Sequence, residues 1–246
     1  MNKFHTIVMP VVGILTVLSF QVFTAKTVCA ADMASATVST RSLTPYFNPV
    51  GEETKAPDSE GFLQRWLLLE PIKQDLRTNA IFTESYIRKT LTTDYFPKQF
   101  SVVPKDGDQV TVAGDELRWH ALDSNLWNVK LFRFAYGLNK PVYGVLFWAV
   151  TVVNSPREME NVRMAVGSNS ASMWWVNGEE AVTLFGDRRM VMDDCVSKRL
   201  TLKKGKNIIR GAVINGPGMS DFCVRFIDEQ GEPLTDLTIN IGKAKK

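Results

Sequence analysis

The pattern of hydrophobic and polar positions changes twice along the chain. Lys3 precedes an almost wholly apolar run from Thr6 to Phe23, which Val28-Cys29-Ala30 closes with small residues. That order predicts a cleaved export signal over residues 1–30, with no membrane span once it is removed, and a secreted or periplasmic protein. From Ala31 to Gly61 Ser, Thr, Ala and Pro predominate without a sustained hydrophobic period, which predicts a flexible leader or linker.

From Phe62 the pattern is one of short strands. FLQRWLLLEPI, Phe62–Ile72, is a compact apolar run ended by Pro71 and reads as a buried strand. Asp75–Leu91 carries the helical period: Phe82 and Tyr86 stand four apart, as do Ile87 and Leu91, and Thr78 or Asn79 is placed to cap it. Turn residues at Asp106-Gly107-Asp108 and Ala113-Gly114-Asp115 precede the alternating Val110 and Val112, then Leu117 and Trp119, while Trp127–Tyr136 alternates more loosely. YGVLFWAVTVV, Tyr143–Val153, is the most β-prone segment, and its nearly continuous apolar character implies burial on both faces.

Asn161–Val166 leads into GSNSASMWWVNG, Gly167–Gly178, an aromatic strand that stops at Asn177-Gly178, where both residues tolerate the positive φ of a type I′ hairpin turn. Lys198–Leu202, Ile208–Ile214 and Phe222–Ile227 supply further strands, and Asp228–Gly231 turns into a last short one. No repeat of solenoid or propeller length is present. The prediction is an all-β, antiparallel β-sandwich over residues 62–246, with one short helix near its N-terminal side.

Composition narrows the chemistry. The formal charge of +3 falls close to neutral once Lys3 and Lys26 leave with the signal, so no charge excess points to nucleic acid. Cys29 also leaves, and Cys195 and Cys223 remain either as a bridge or as two buried thiols. Of two histidines His5 lies in the signal, so a histidine-rich zinc site cannot be built and any Ser-His-Asp arrangement would have to use His120. Asp115, Glu116 and Asp123 are the carboxylates near His120 in sequence. Gly218-Met219-Ser220 begins a nucleophile-elbow pattern, but Phe222 stands where the sharp turn needs glycine, which makes Ser220 a poor nucleophile. Asp193 and Asp194 read as a solvated turn, with a structural calcium site the alternative.

Several motifs in order resemble the galactose-binding-like, jelly-roll β-sandwich domains that accompany secreted carbohydrate esterases and glycoside hydrolases. Trp66-Leu67-Leu68-Leu69-Glu70-Pro71-Ile72 is similar to the strand that opens them. Trp148 to Pro156, continuing through Val162 and Met164 to Gly167-Ser168 and Trp175-Val176-Asn177-Gly178, is similar to their central block. Leu202–Asn207 through Val213, and Phe222–Asp228 followed by Gly231–Leu234, match the closing segments. Where those domains carry Asp-Asp-Gly after Gly-Ser, this chain has Asn169-Ser170-Ala171.

The resemblance implies a non-catalytic carbohydrate-binding module that acts with polysaccharide-degrading enzymes on an oligo- or polysaccharide. A carbohydrate esterase of the acetyl xylan esterase kind and a structural, protein-docking sandwich are the alternatives. Sugar recognition needs an aromatic face for the ring and amides or carboxylates for the hydroxyls. Trp174, Trp175, Trp119 and Trp127 are the candidate platforms, and Asn177, Asn215 and Asp221 the candidate polar contacts, with no catalytic or metal-binding residue assigned.

Overall fold

The apolar run Tyr143–Val153 becomes the spine of the structure, a computed structural model that describes residues 41–76, 78–186 and 189–241. These all belong to the unit Thr40–Lys246. The expected export signal and residues 31–40 of the expected leader lie outside the described residues.

In chain order the elements are β1 (Phe47–Pro49), β2 (Arg65–Leu69), β3 (Ile72–Lys73), α1 (Glu84–Thr92), β4 (Gln109–Val112), β5 (Asp115–Ser124), α2 (Leu131–Gly137) and β6 (Val145–Ser155). They continue with β7 (Met159–Ser168), β8 (Ser172–Val176), β9 (Glu179–Leu184), β10 (Cys195–Val196), β11 (Leu200–Leu202), β12 (Gly205–Asn215), β13 (Phe222–Ile227) and β14 (Thr238–Ile239). The larger sheet has the order β1-β5-β2-β6-β12-β8-β9, with β4 on β5 and with β3 and β14 at opposite ends of β6. The smaller sheet centres on β7, with β10 and β11 along one edge and β13 along the other. The pairings are antiparallel, as the sequence predicts for a sandwich.

The larger sheet is buried on both faces. On β6, Val145, Phe147, Ala149 and Val153 face the smaller sheet, while Leu146, Trp148, Val150 and Val152 belong to a second buried cluster on the opposite face. An antiparallel sheet commonly leaves one face to water. Here Ile87 and Leu91 of α1, with Phe96 and Phe100 of the following segment, cover that second face. The continuous hydrophobicity of Tyr143–Val153 is the signature of a middle layer.

Three local features differ from the sequence reading. The helix is shorter than Asp75–Leu91, because Thr83 caps it: its Oγ1 accepts the Tyr86 N–H at 3.3 Å. Trp127–Tyr136 contains α2, since Leu131, Phe134 and Ala135 fall at helical spacing and are buried together. Within the stretch read as a leader, β1 pairs with β5, from Phe47 opposite Ser124 to Pro49 opposite Leu122.

Between the sheets Trp174 is fully buried among Trp66, at 5.9 Å between ring centroids, and Phe222, at 4.8 Å. Its indole N–H donates to Ser172 Oγ at 3.0 Å. The ring lies over Gly211 of the neighbouring β12, where an added Cβ would stand 2.2 Å from Trp174 Cζ3. Gly211→Ala is therefore expected to destabilise the domain by about 1–3 kcal/mol or more through overpacking. Trp174→Ala should cost about 3–5 kcal/mol. Urea unfolding checks both; an unchanged midpoint for Gly211→Ala would mean the ring is not seated there.

Candidate functional site

The main cleft lies where the two sheets present edges. β9 is the last strand of the larger sheet, and β10 and β11 line an edge of the smaller one, with β9 lying against β7 and β10. Between these edges is a cleft of about 640 Å³. Val176, Ala181 and Leu200 are its apolar members; Asn177, Glu179 and Glu180 line it from the β8–β9 hairpin, and Lys198, Arg199, Thr201 and Lys203 from the β10–β11 segment.

Local structure shapes this cleft. Asn177 and Gly178 adopt φ of 54° and 91°, so the Asn-Gly turn closes the hairpin as its sequence predicts. The β8–β9 register then passes from Trp174 opposite Val182 to Trp175 opposite Glu180, leaving Ala181 as the bulged residue against the cleft. Asn177 is exposed, yet its amide is engaged: Nδ2–H donates to Asn207 Oδ1 and Oδ1 accepts the Ile208 N–H, each at 2.9 Å. Its side chain ties the hairpin to β12. Glu180 accepts from Thr183 and from Arg88, which reaches its two oxygens at 3.0 and 3.2 Å. Burial would raise its carboxyl, but Thr183 and Arg88 hold it below the usual range.

The candidate tryptophans lie elsewhere. Trp174 is inside the sandwich, and Trp175, on the other face, stacks on Trp148 at 5.7 Å and meets the edge of Phe100 at 5.5 Å. Trp119 is buried edge-on to Phe96, and Trp127 is half-buried against Phe62. Alternation puts Trp174 and Trp175 on opposite faces, and because both faces are covered neither ring meets solvent. The polar groups that do line the cleft, such as Glu179, Lys198 and Thr201, were passed over in sequence. Their signal was the run of charged residues on both sides of the aromatic hairpin.

Asn215 and Asp221 are also buried and brace the loops at one end of the sandwich. Asn215 Nδ2–H donates to Val142 O and Gly218 O at 3.0 and 3.1 Å. Asp221 Oδ2 meets Lys130 Nζ at 2.8 Å; burial pushes this carboxyl above its ordinary range, against the pull of Lys130. Asp221 Oδ1, Asn169 Oδ1 and Ser220 Oγ are buried with no protein partner among the described residues. With an ammonium already on Asp221, the arrangement suits bound water better than a cation.

The residues considered for catalysis or metal binding are engaged as follows. His120 Nε2 stands 3.2 Å from Glu70 Oε1, a contact made by strand pairing of Leu68 with His120 and not by Asp115, Glu116 or Asp123. Ser220 Oγ forms no hydrogen bond to it. Asp193 gives both oxygens to Arg225. Cys195 and Cys223 are free thiols opposite Val166 and Gly167 on the two edges of β7. Two strand spacings, roughly 9–10 Å, separate them, beyond the roughly 7 Å that a disulfide spans. Burial pushes the Cys223 thiol up to about 12. Among the described residues no helix is long and apolar enough to cross a membrane.

No family model and no curated protein matches this chain. Among solved structures it is similar to a β-glucosidase from Kluyveromyces marxianus, with 21% identity and a TM-score of 0.31 over 48% of this chain and 13% of that one. The chain thus spans a small part of that enzyme. It is also similar to the PA14 sugar-binding domain from an RTX adhesin, at 9% identity and a TM-score of 0.37 over 73% and 100% of the two chains. The PA14 domain of the MpAFP antifreeze protein matches at 10% identity and a TM-score of 0.37 over 79% and 99%. TM-scores this low mark a likeness without shared detailed geometry.

Glu70, just after β2 and away from the cleft, gives the fold a pH dependence. Burial would raise its carboxyl, but hydrogen bonds from Lys140 at 2.8 Å, from His120 and from the Arg118 N–H hold it below the usual range. A carboxylate depressed on folding stabilises above its unfolded value and loses that contribution as pH falls. Glu70→Gln is expected to be less stable than the unsubstituted protein at neutral pH, the gap closing below about pH 4.5. Thermal melts across pH check this; a gap that does not narrow as pH falls below that value would contradict it.

Proposed function

We propose that this domain is an exported, non-catalytic carbohydrate-binding module that holds an oligo- or polysaccharide in the cleft between β9 and the β10–β11 segment. The observation that carries the reading is the lining of that cleft. Three apolar side chains lie among carboxylates, amines, a guanidinium, an amide and two hydroxyls, in a volume of about 640 Å³. A sugar ring has the same two-sided character, with apolar C–H faces and a rim of hydroxyls that both donate and accept. Carboxylates take hydroxyl protons, and Lys198 and Lys203 donate to hydroxyl oxygens.

The resemblance of the ordered motifs to galactose-binding-like domains supports the same ligand class and suggests action beside polysaccharide-degrading enzymes. The signal-like N-terminus supports export. Among the described residues the cleft lining carries no aromatic ring, so recognition here rests on hydrogen bonds and a preference set by hydroxyl geometry.

Affinity electrophoresis of purified protein against a panel of plant polysaccharides is the test. Retardation is expected on at least one, and Glu179→Ala and Lys203→Ala should each weaken it several-fold. Both residues are exposed, so unfolding free energies should move by no more than about 0.5 kcal/mol. Retention on none of the polysaccharides, or retention indifferent to both substitutions, would overturn the proposal.

A further inference from the structure

Arg210 of β12 is 2% exposed and lacks a carboxylate partner among the described residues. Its Nη2–H donates to Val102 O at 3.1 Å, and its Nε–H is buried and unsatisfied among the described residues. The contrast is Arg65, also buried, whose guanidinium takes both oxygens of Asp123 at 2.8 and 2.9 Å. Burying a cation without its counter-charge is costly. The carboxylate in the same cross-strand row, Glu180, is two strands away and engaged by Arg88. Burial pushes the Arg210 guanidinium below its ordinary pKa.

A second orphan donor stands on the same face. Arg210 pairs with Val150 on one side and Trp175 on the other, and Trp148, diagonal to it on β6, has a buried indole N–H with no partner. Trp148 and Trp175 lie ring on ring, 12° from parallel, capped by the edge of Phe100. Two unsatisfied donors beside stacked aromatic rings, with no acceptor side chain supplied, form the complement of an acceptor-only group carried on a ring. A carboxylate has that chemistry, and a guanidinium matches its two oxygens.

What covers these groups is the segment 94–104, seated on the sheet by Phe96 and Phe100, with its hydrogen bonds mostly local: Tyr95 N–H to Gln99 Oε1, Gln99 Nε2–H to Thr93 O, and Ser101 N–H to Lys98 O. Among the described residues, its hydrogen bond to a strand of the larger sheet is the one from Arg210 to Val102. A cavity of about 180 Å³ lies between this segment and β4–β5, bordered by Phe96, Val102 and Trp119 with Lys98, Gln99 and Asp108; it is adjacent to the segment but is not lined by Arg210 or the stacked pair.

We infer that Arg210 anchors a second binding site, covered by the segment 94–104, that takes a ring-bearing carboxylate in place of the Val102 carbonyl. The inference is independent of the cleft between the sheet edges.

Intrinsic tryptophan fluorescence, titrated with sodium galacturonate, sodium benzoate and galactose, reads occupancy beside the stacked pair. A saturable change is expected with a carboxylate and not with galactose. Saturation by galacturonate alone assigns a sugar acid, and saturation by benzoate alone a non-sugar carboxylate; either supports the anchor. Arg210→Met should weaken binding by about tenfold or more while raising the melting temperature of the ligand-free protein, because it removes an uncompensated buried charge. Should Arg210→Met not fold, Arg210→Lys, which keeps the charge without the planar fork, is expected to bind more weakly than the unsubstituted protein. No saturable change with either carboxylate, or undiminished binding in the foldable variant, would overturn the inference. Retention on neutral polysaccharide gels reports on the cleft and should be unaltered in that variant, so the two sites fail or stand separately.

Discussion

The position of the Trp174 ring over Gly211 is the contact on which the sandwich depends. β8 reaches the centre of the interior because β12 presents no side chain at the paired position, so a large indole settles flat between strands and against Phe222 of the opposite sheet. Trp66 completes the three-ring group, its own N–H donating to Leu63 O at 2.7 Å. Large apolar area is thereby removed from water without a stranded polar atom, since Ser172 takes the Trp174 N–H. The same contact sets the register of β8, and hence where the Asn177-Gly178 hairpin and the cleft fall.

The second constraint is that the larger sheet is a middle layer. Alternation on a strand normally separates a wet face from a dry one. On β6 and β8 both faces are dry, so the adjacent Trp174 and Trp175 are each absorbed, one between the sheets and one under the segment 94–104. Phe100 is the wedge that lets this segment lie on the Trp148–Trp175 stack. The cost of such a layer appears wherever a polar residue falls on it, and at Arg210 and Trp148 the cover supplies one carbonyl for two buried donors.

Much of the fold was readable from the chain, and the reasons are local. The unbroken hydrophobicity of Tyr143–Val153 can be satisfied only by burial on both faces, and Asn177-Gly178 names its own turn. What escaped was set by distant partners. The helical spacing of Leu131, Phe134 and Ala135 is too brief to stand out from loose alternation, and Phe134 is buried against Phe47 of β1 and His120 of β5, both distant in sequence. His120 finds Glu70, fifty positions away, because Leu68 pairs with it across β2 and β5. The site was less readable than the fold. Tryptophan, asparagine and aspartate look alike in sequence whether they meet a ligand or brace a loop, and here Asn177, Asn215 and Asp221 do the bracing.

The placement of the cleft follows from these same constraints. A sheet whose faces are both covered leaves its edges and loop ends open to solvent, where a ligand can arrive without displacing any cover. Edge strands carry unpaired backbone groups that natural sheets guard with charge and bulges, and β9 has both, in Glu179, Glu180 and the bulged Ala181. Residues that keep an edge from pairing with another strand are also well suited to hydrogen-bond hydroxyls. With the large aromatics drawn into the two cores, this edge presents chiefly charged and hydroxylated side chains, which is the chemistry the carbohydrate-binding proposal rests on.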